Sequence, residues 1–240
     1  MPLPSVPRLR PLAAGLAVAA LGLLAGCATR APAVSAPVRI MAVGVAITAG
    51  ADYFASYRYP LRVRLRAAGY AVTFVGTQGL DRPDPLAHEG YGGKNTTWLL
   101  AHVPANFRAH PADIVLFHSG HNHSVEEQPV PGILAATEQL IAAFRAVNPR
   151  VTVLLAQVIP AGKLPKYAYL PDLNRELARL AARLDRPGAR VILVDQATGF
   201  DWATDTVEDK VHPNARGADK IAANWFAALQ RVLPPPAAKP

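Results

Sequence analysis

Five short apolar runs, each separated from the next by longer and more polar stretches, constrain this chain more than any other feature. Residues 38–45, 71–75, 114–117, 151–157 and 191–194 are rich in Val, Ile and Leu and lack polar alternation, as strands covered on both faces do. Helical periodicity occupies residues 59–68, 131–147, 171–184 and 215–232, with Pro131 and Pro171 suited to first turns and Gly69 and Gly188 to exits. Strand and helix in alternation predict a three-layer α/β/α sandwich with a mainly parallel sheet. Ligands of such sheets gather at the carboxyl ends of the strands. The segments to inspect are therefore 44–51, 88–97, 118–124, 158–169 and 209–214.

The N-terminal residues read as an address. Arg8 and Arg10 precede an uncharged, Ala- and Leu-rich stretch over 11–26, short for a bilayer span. Leu24-Ala25-Gly26-Cys27 resembles a bacterial lipobox, which implies a lipoprotein signal peptide over 1–26, lipidation of Cys27 and a lipid-anchored place in the bacterial cell envelope. The alternative is an ordinary leader or anchor with an incidental cysteine. Residues 27–37 read as a flexible tether, 38–233 as one domain and 234–240 as a disordered tail. Cys27 is the single cysteine, so the domain has no disulfide framework, thiol catalyst or cysteine-based zinc site.

The formal charge of +8 comes from 25 Lys and Arg against 17 Asp and Glu. The basic residues are spread along predicted helices (Arg62, Arg64, Arg66, Arg175, Arg179, Arg183) rather than clustered with aromatics. That pattern is a solvated helix face, and no nucleic-acid partner is expected.

Four segments carry the chemistry. Gly44-Val45-Ala46-Ile47-Thr48-Ala49-Gly50 follows the first strand, and His88-Glu89-Gly90-Tyr91-Gly92-Gly93 comes next. Gly120-His121-Asn122-His123 follows the third apolar run, and Asp209-Lys210-Val211-His212-Pro213-Asn214 precedes the last helix. In order and spacing these resemble the four sequence blocks of the SGNH/GDSL hydrolases, the second in the form seen in carbohydrate esterases of the acetylxylan-esterase type. The resemblance spans about residues 40–226 and implies a flavodoxin-like, five-stranded sheet. It implies a small acyl-ester ligand such as a carbohydrate ester, and no cofactor. His212 and Asp209 match the family's general base and its orienting carboxylate. Gly93 and Asn122 match two oxyanion donors, and the backbone N–H of Ala46 can supply the third.

The departure lies in the first block, where the family has Gly-Asp-Ser. Val45 stands in the aspartate's place and Ala46 in that of the nucleophilic serine. A methyl group forms no acyl-enzyme. Thr48 sits two residues too far along, and Ser119 is the candidate for a relocated nucleophile. A second route would be a metal held by His118, His121 and His123, since imidazole suits zinc and extended residues two apart point to one side. The competing reading makes His121 and His123 plain walls of a polar cleft.

Other candidates lean structural: Asp113 and Asp195 as turn caps, and Trp225 as core. Trp98 and Trp202 offer sugar-stacking faces, and Lys163, Lys166, Tyr167 and Tyr169 are weak substrate-contact candidates in a long loop. Three functions follow: a carbohydrate-ester hydrolase with its serine mechanism impaired, a non-catalytic envelope-tethered module binding acylated saccharides, and a metal-assisted hydrolase.

Overall fold

The computed structural model describes residues 1–2, 36–80 and 86–236. Cys27, the leader beyond Pro2, the tether up to Ser35 and the tail from residue 237 lie outside the described residues.

The predicted strands form as β1 (Val38–Gly44), β2 (Val72–Phe74), β4 (Ile114–His118), β5 (Thr152–Ala156) and β6 (Val191–Val194), with a two-residue β3 (Glu89–Gly90) on β1. The order is β2-β1-β4-β5-β6 and each of these strand pairings is parallel. The five longer strands thus give the expected flavodoxin-like sheet. Alternation along each strand sends side chains to opposite faces. Val115 and Phe117 of β4 join one core cluster, and Ile114 and Leu116 join the other.

Helices cover both faces. α3 (Thr96–Ala109), α4 (Val130–Val147) and α5 (Leu170–Leu184) bury Leu99, Phe107, Leu140, Phe144 and Leu177 in the first cluster. α2 (Arg58–Ala67) and α7 (Ala215–Gln230) bury Leu61, Leu65, Ile221, Trp225 and Leu229 in the second. Trp225, Tyr57, Phe107, Phe117 and Phe144 are all fully buried, each large apolar side chain contributing about 1.5–3 kcal/mol by leaving water.

Helix α3 lies where the sequence predicts none. Pro104 falls inside it, and an internal proline argues against a helix because it removes one backbone bond. Two features outweigh that cost: Leu99, Val103 and Phe107 recur every four residues on the buried face, and the Asn95 side chain caps the start by accepting from the Trp98 N–H at 2.9 Å. Gly69 takes φ +77° just past α2, as predicted. Gly188 does not end α5; it sits in the Arg186–Ala189 turn, after the helix has closed on Asp185. Two single-turn helices, α1 (Ala46–Ala49) and α6 (Trp202–Asp205), lie in the loops around the strand ends.

Candidate active site

Glycines fix the first side of the site. A side chain at Gly44 would come within 2.3 Å of Thr48 Oγ1 and 2.4 Å of the His118 carbonyl, and one at Gly90 within 2.6 Å of the Ala49 N–H nitrogen. The chain can therefore fold from β1 straight into α1 while β3 lies flat against it. Ala46 is the first residue of α1, where a backbone N–H has no carbonyl of its own helix to bond. Arg58 braces the far end of this turn by donating to the carbonyls of Thr48, Ala49 and Leu86 at 2.6–2.8 Å.

The opposite side is the loop before α7. His212 Nδ1 donates to Asp209 Oδ2 at 2.5 Å, while Asp209 Oδ1 accepts the backbone N–H groups of Val211 and His212 at 2.9 Å each. Lys210 takes φ +60° to fold the loop back on the carboxylate. Burial on its own would raise the Asp209 carboxyl. The His212 hydrogen bond and the two backbone donors outweigh it and hold the group below the usual carboxylate range. Phe54 stacks on the His212 ring at 4.2 Å, with Tyr53 edge-on at 6.0 Å.

Between the two sides lies a cleft of about 360 Å³, lined by Ala46, Gly93, Asn122 and His212 together with Gly50, Tyr53 and Phe54. Asn122 is held with φ +67°, and its side-chain amide donates to the Lys94 carbonyl at 2.7 Å. Gly93, at φ +71°, is a cleft residue, whereas Gly90 is consumed in packing. The four positions that the sequence blocks single out thus share one hollow, with the Asp209 carboxylate behind His212.

The other candidates do not join it. Thr48 is buried with its hydroxyl 3.3 Å from the Tyr57 hydroxyl. Ser119 is buried with Oγ 2.8 Å from Thr96 Oγ1, and it does not line the cleft. The three-histidine metal route is corrected: no group of three metal-ligating side chains exists among the described residues. The chain leaves the strand at His118, and the left-handed Asn122 turns His123 away to Glu127 at 2.8 Å.

His118 and His121 lie in the interior instead, with ring centroids 6.0 Å apart. His121 Nε2 donates to the Ile159 carbonyl at 3.1 Å. Its Nδ1 and both nitrogens of His118 have no hydrogen-bond partner among the described residues. Desolvation, with mutual repulsion against His121, pushes His118 down to about 3. Desolvation brings His121 to about 4 despite its carbonyl bond. Both rings are neutral near pH 7.

Tyr167 and Tyr169 are also buried, 5% and 4% exposed, and the Tyr169 hydroxyl donates to the Gly120 carbonyl at 2.8 Å. They support the Asn122 loop rather than face a substrate. Asp113 and Asp195 cap backbone N–H groups as expected. Phe54 and Tyr53 line the cleft yet fall outside every segment that the sequence singles out. The adjacent aromatic pair in a non-periodic loop was the available signal.

The family model for GDSL-like lipases/acylhydrolases matches residues 42–220, well over half of the 240-residue chain. No curated protein sequence matches. Among solved structures, a carbohydrate esterase family 3 protein from Talaromyces cellulolyticus is 24% identical, covering 81% of this chain and 97% of its own, with a TM-score of 0.72. An acetyl esterase mutant, serine to alanine, with an acetate ion has the same identity and coverages and a TM-score of 0.73. The family 3 carbohydrate esterase of Clostridium thermocellum is 26% identical, covering 82% of this chain and 96% of its own, with a TM-score of 0.69. By its sequence match and its parallel α/β sheet, this chain belongs to the GDSL-like lipase/acylhydrolase family and has the SGNH hydrolase fold.

Proposed function

We propose that the cleft recognises an acyl ester of a carbohydrate and does not carry it through an acyl-enzyme. The observation behind this reading is that the Ala46 methyl lines the same hollow as Gly93, Asn122 and His212, while His212 keeps its 2.5 Å bond to Asp209. On this reading His212 is the base, Asp209 its orienting carboxylate and Gly93 and Asn122 the oxyanion donors, while alanine at position 46 has no group able to form the covalent intermediate. In a comparable serine hydrolase, loss of the serine cost on the order of a million-fold in turnover. The protein is thus read as a binding member of an esterase family. The fold relative that has alanine for serine and holds an acetate ion supports an acyl group as the occupant.

The lipobox-like run ending at Cys27 adds an envelope anchor to this reading, so the mature N-terminus in a membrane fraction should be a lipidated cysteine by mass spectrometry. The test of the cleft is hydrolysis of p-nitrophenyl acetate and acetylated xylan by the full chain beside Ala46→Ser and the double variant that adds Val45→Asp. The serine variants should gain at least about a thousand-fold in kcat. Turnover by the unsubstituted protein that persists in a chelator, at the level of the variants, overturns the reading.

A further inference from the structure

A second and larger hollow, of about 750 Å³, adjoins the cleft and shares Ala49, Gly50, Ala51 and Phe54 with it as wall. Its size falls within the roughly 300–1,000 Å³ typical of small-molecule sites. Nothing in the reading above uses it.

Its polar groups are specific. His88 Nδ1 accepts the Gly90 N–H at 2.9 Å, which places the ring proton on Nε2. Desolvation, helped by the Arg58 charge, pushes the ring down to about 3, so it presents a neutral N–H. Among the described residues that N–H has no acceptor. Asp52 is exposed on the same wall, and its carboxylate takes part in no hydrogen bond or ion pair among the described residues. Tyr59 contributes a partly exposed phenol. The remaining charges are engaged: Arg58 with three backbone carbonyls and Asp219 with Arg64 at 2.7 Å. Apolar surface comes from Leu86 and Pro60.

A neutral donor, a carboxylate acceptor and a hydroxyl beside apolar patches suit a ligand with several hydroxyl groups and C–H faces. An apolar ligand would leave the donor and acceptor unpaired at a cost, and an anion would meet the Asp52 carboxylate. We infer that this hollow seats the alcohol part of the ester, a neutral sugar unit, with His88 and Asp52 as specificity-determining residues. The inference rests on the reading that the adjoining cleft takes the acyl group, because the shared wall is where an alcohol leaving that cleft would cross.

Calorimetry on the full chain separates the two sites. Sodium acetate probes the cleft alone; unacetylated xylotetraose, cellotetraose and mannotetraose probe the hollow alone; O-acetylated xylotetraose probes both. Ala215→Trp fills the hollow from an exposed position that does not line the cleft, and Asp52→Ala removes the free acceptor. At least one unacetylated tetraose should bind, weakened by about tenfold or more in either variant. The acetylated form should weaken in parallel, with acetate affinity unchanged. Failure of all three tetraoses to bind, or binding that Ala215→Trp leaves intact, overturns the inference whether or not acetate binds. If a tetraose binds and is displaced by Ala215→Trp while acetate does not bind, the hollow keeps its assignment and the acyl reading of the cleft falls.

Discussion

The two sequence regions that meet across the cleft are held in place by different physics. Residues 209–214 are organised by charge and hydrogen bonding, since one carboxylate accepts a ring N–H and two backbone N–H groups within four residues. Residues 44–50 take their path from close packing, Gly44 against Thr48 and the His118 carbonyl with Gly90 of β3 pressed on Ala49, and only their far end, at the Thr48 and Ala49 carbonyls, is tied by the Arg58 guanidinium. Neither arrangement depends on a side-chain hydroxyl at position 46. The difference teaches that the turn and the Asp209–His212 pair hold their geometry with alanine at position 46, because glycine contacts rather than that side chain shape the turn.

The most severe way to break the charged side is His212→Ala in the Ala46→Ser background. It should erase the gained esterase activity, a loss on the order of ten-thousand- to a million-fold in kcat, measured on p-nitrophenyl acetate. A loss of only a few-fold would mean that another group serves as base. Asn122→Ala in the same background should cost about a hundred- to a thousand-fold in kcat, as removal of one oxyanion donor does elsewhere. An effect confined to KM would demote Asn122 to substrate positioning.

Acid sharpens the contrast on the packed side. His118, whose carbonyl abuts Gly44, together with His121 and His88, has a folded-state pKa of about 3, 4 and 3 respectively, below the usual histidine value near 6.5. The unfolded chain then binds more protons than the folded one through this window. Their stabilising effect is complete above about pH 6.5 and is lost as pH falls toward 4, by about 1.4 kcal/mol per pH unit for each group. Urea midpoints measured from pH 7 to 4 should fall accordingly, and the fall should shrink in His118→Phe. A flat profile would mean that the buried rings keep partners able to hold their charge. The smallest expected effect is Gly44→Ala, a loss of about 1–3 kcal/mol from overpacking the turn, read from the same denaturation curves with the Asp209–His212 contact intact by NMR.

The fold was largely legible because the apolar runs and the helical stripes report burial on two faces directly. What escaped was set by tertiary contact: α3 carries Pro104 and is rescued by its Asn95 cap and buried stripe, and β3 is too short to show a period. Asp209 and His212 were legible in the site because their partnership is local, three residues apart. The histidine trio misled because the turn that separates His123 from its neighbours is left-handed at Asn122, a conformation that asparagine favours without dictating. Phe54 and Tyr53 escaped for a related reason, since their value comes from surfaces that meet only after folding.

The central claim is that no acyl-enzyme forms on this protein although the rest of the cleft is ready to make one. Intact-mass spectrometry of the full chain quenched after brief exposure to p-nitrophenyl acetate tests it most directly, beside Ala46→Ser. The account predicts no added acetyl group on the unsubstituted protein, and on the variant one acetyl group that maps to position 46 with a matching nitrophenol burst. A stoichiometric acetyl group on the unsubstituted protein that disappears with His212→Ala would contradict it and would make Ser119 the residue to map first.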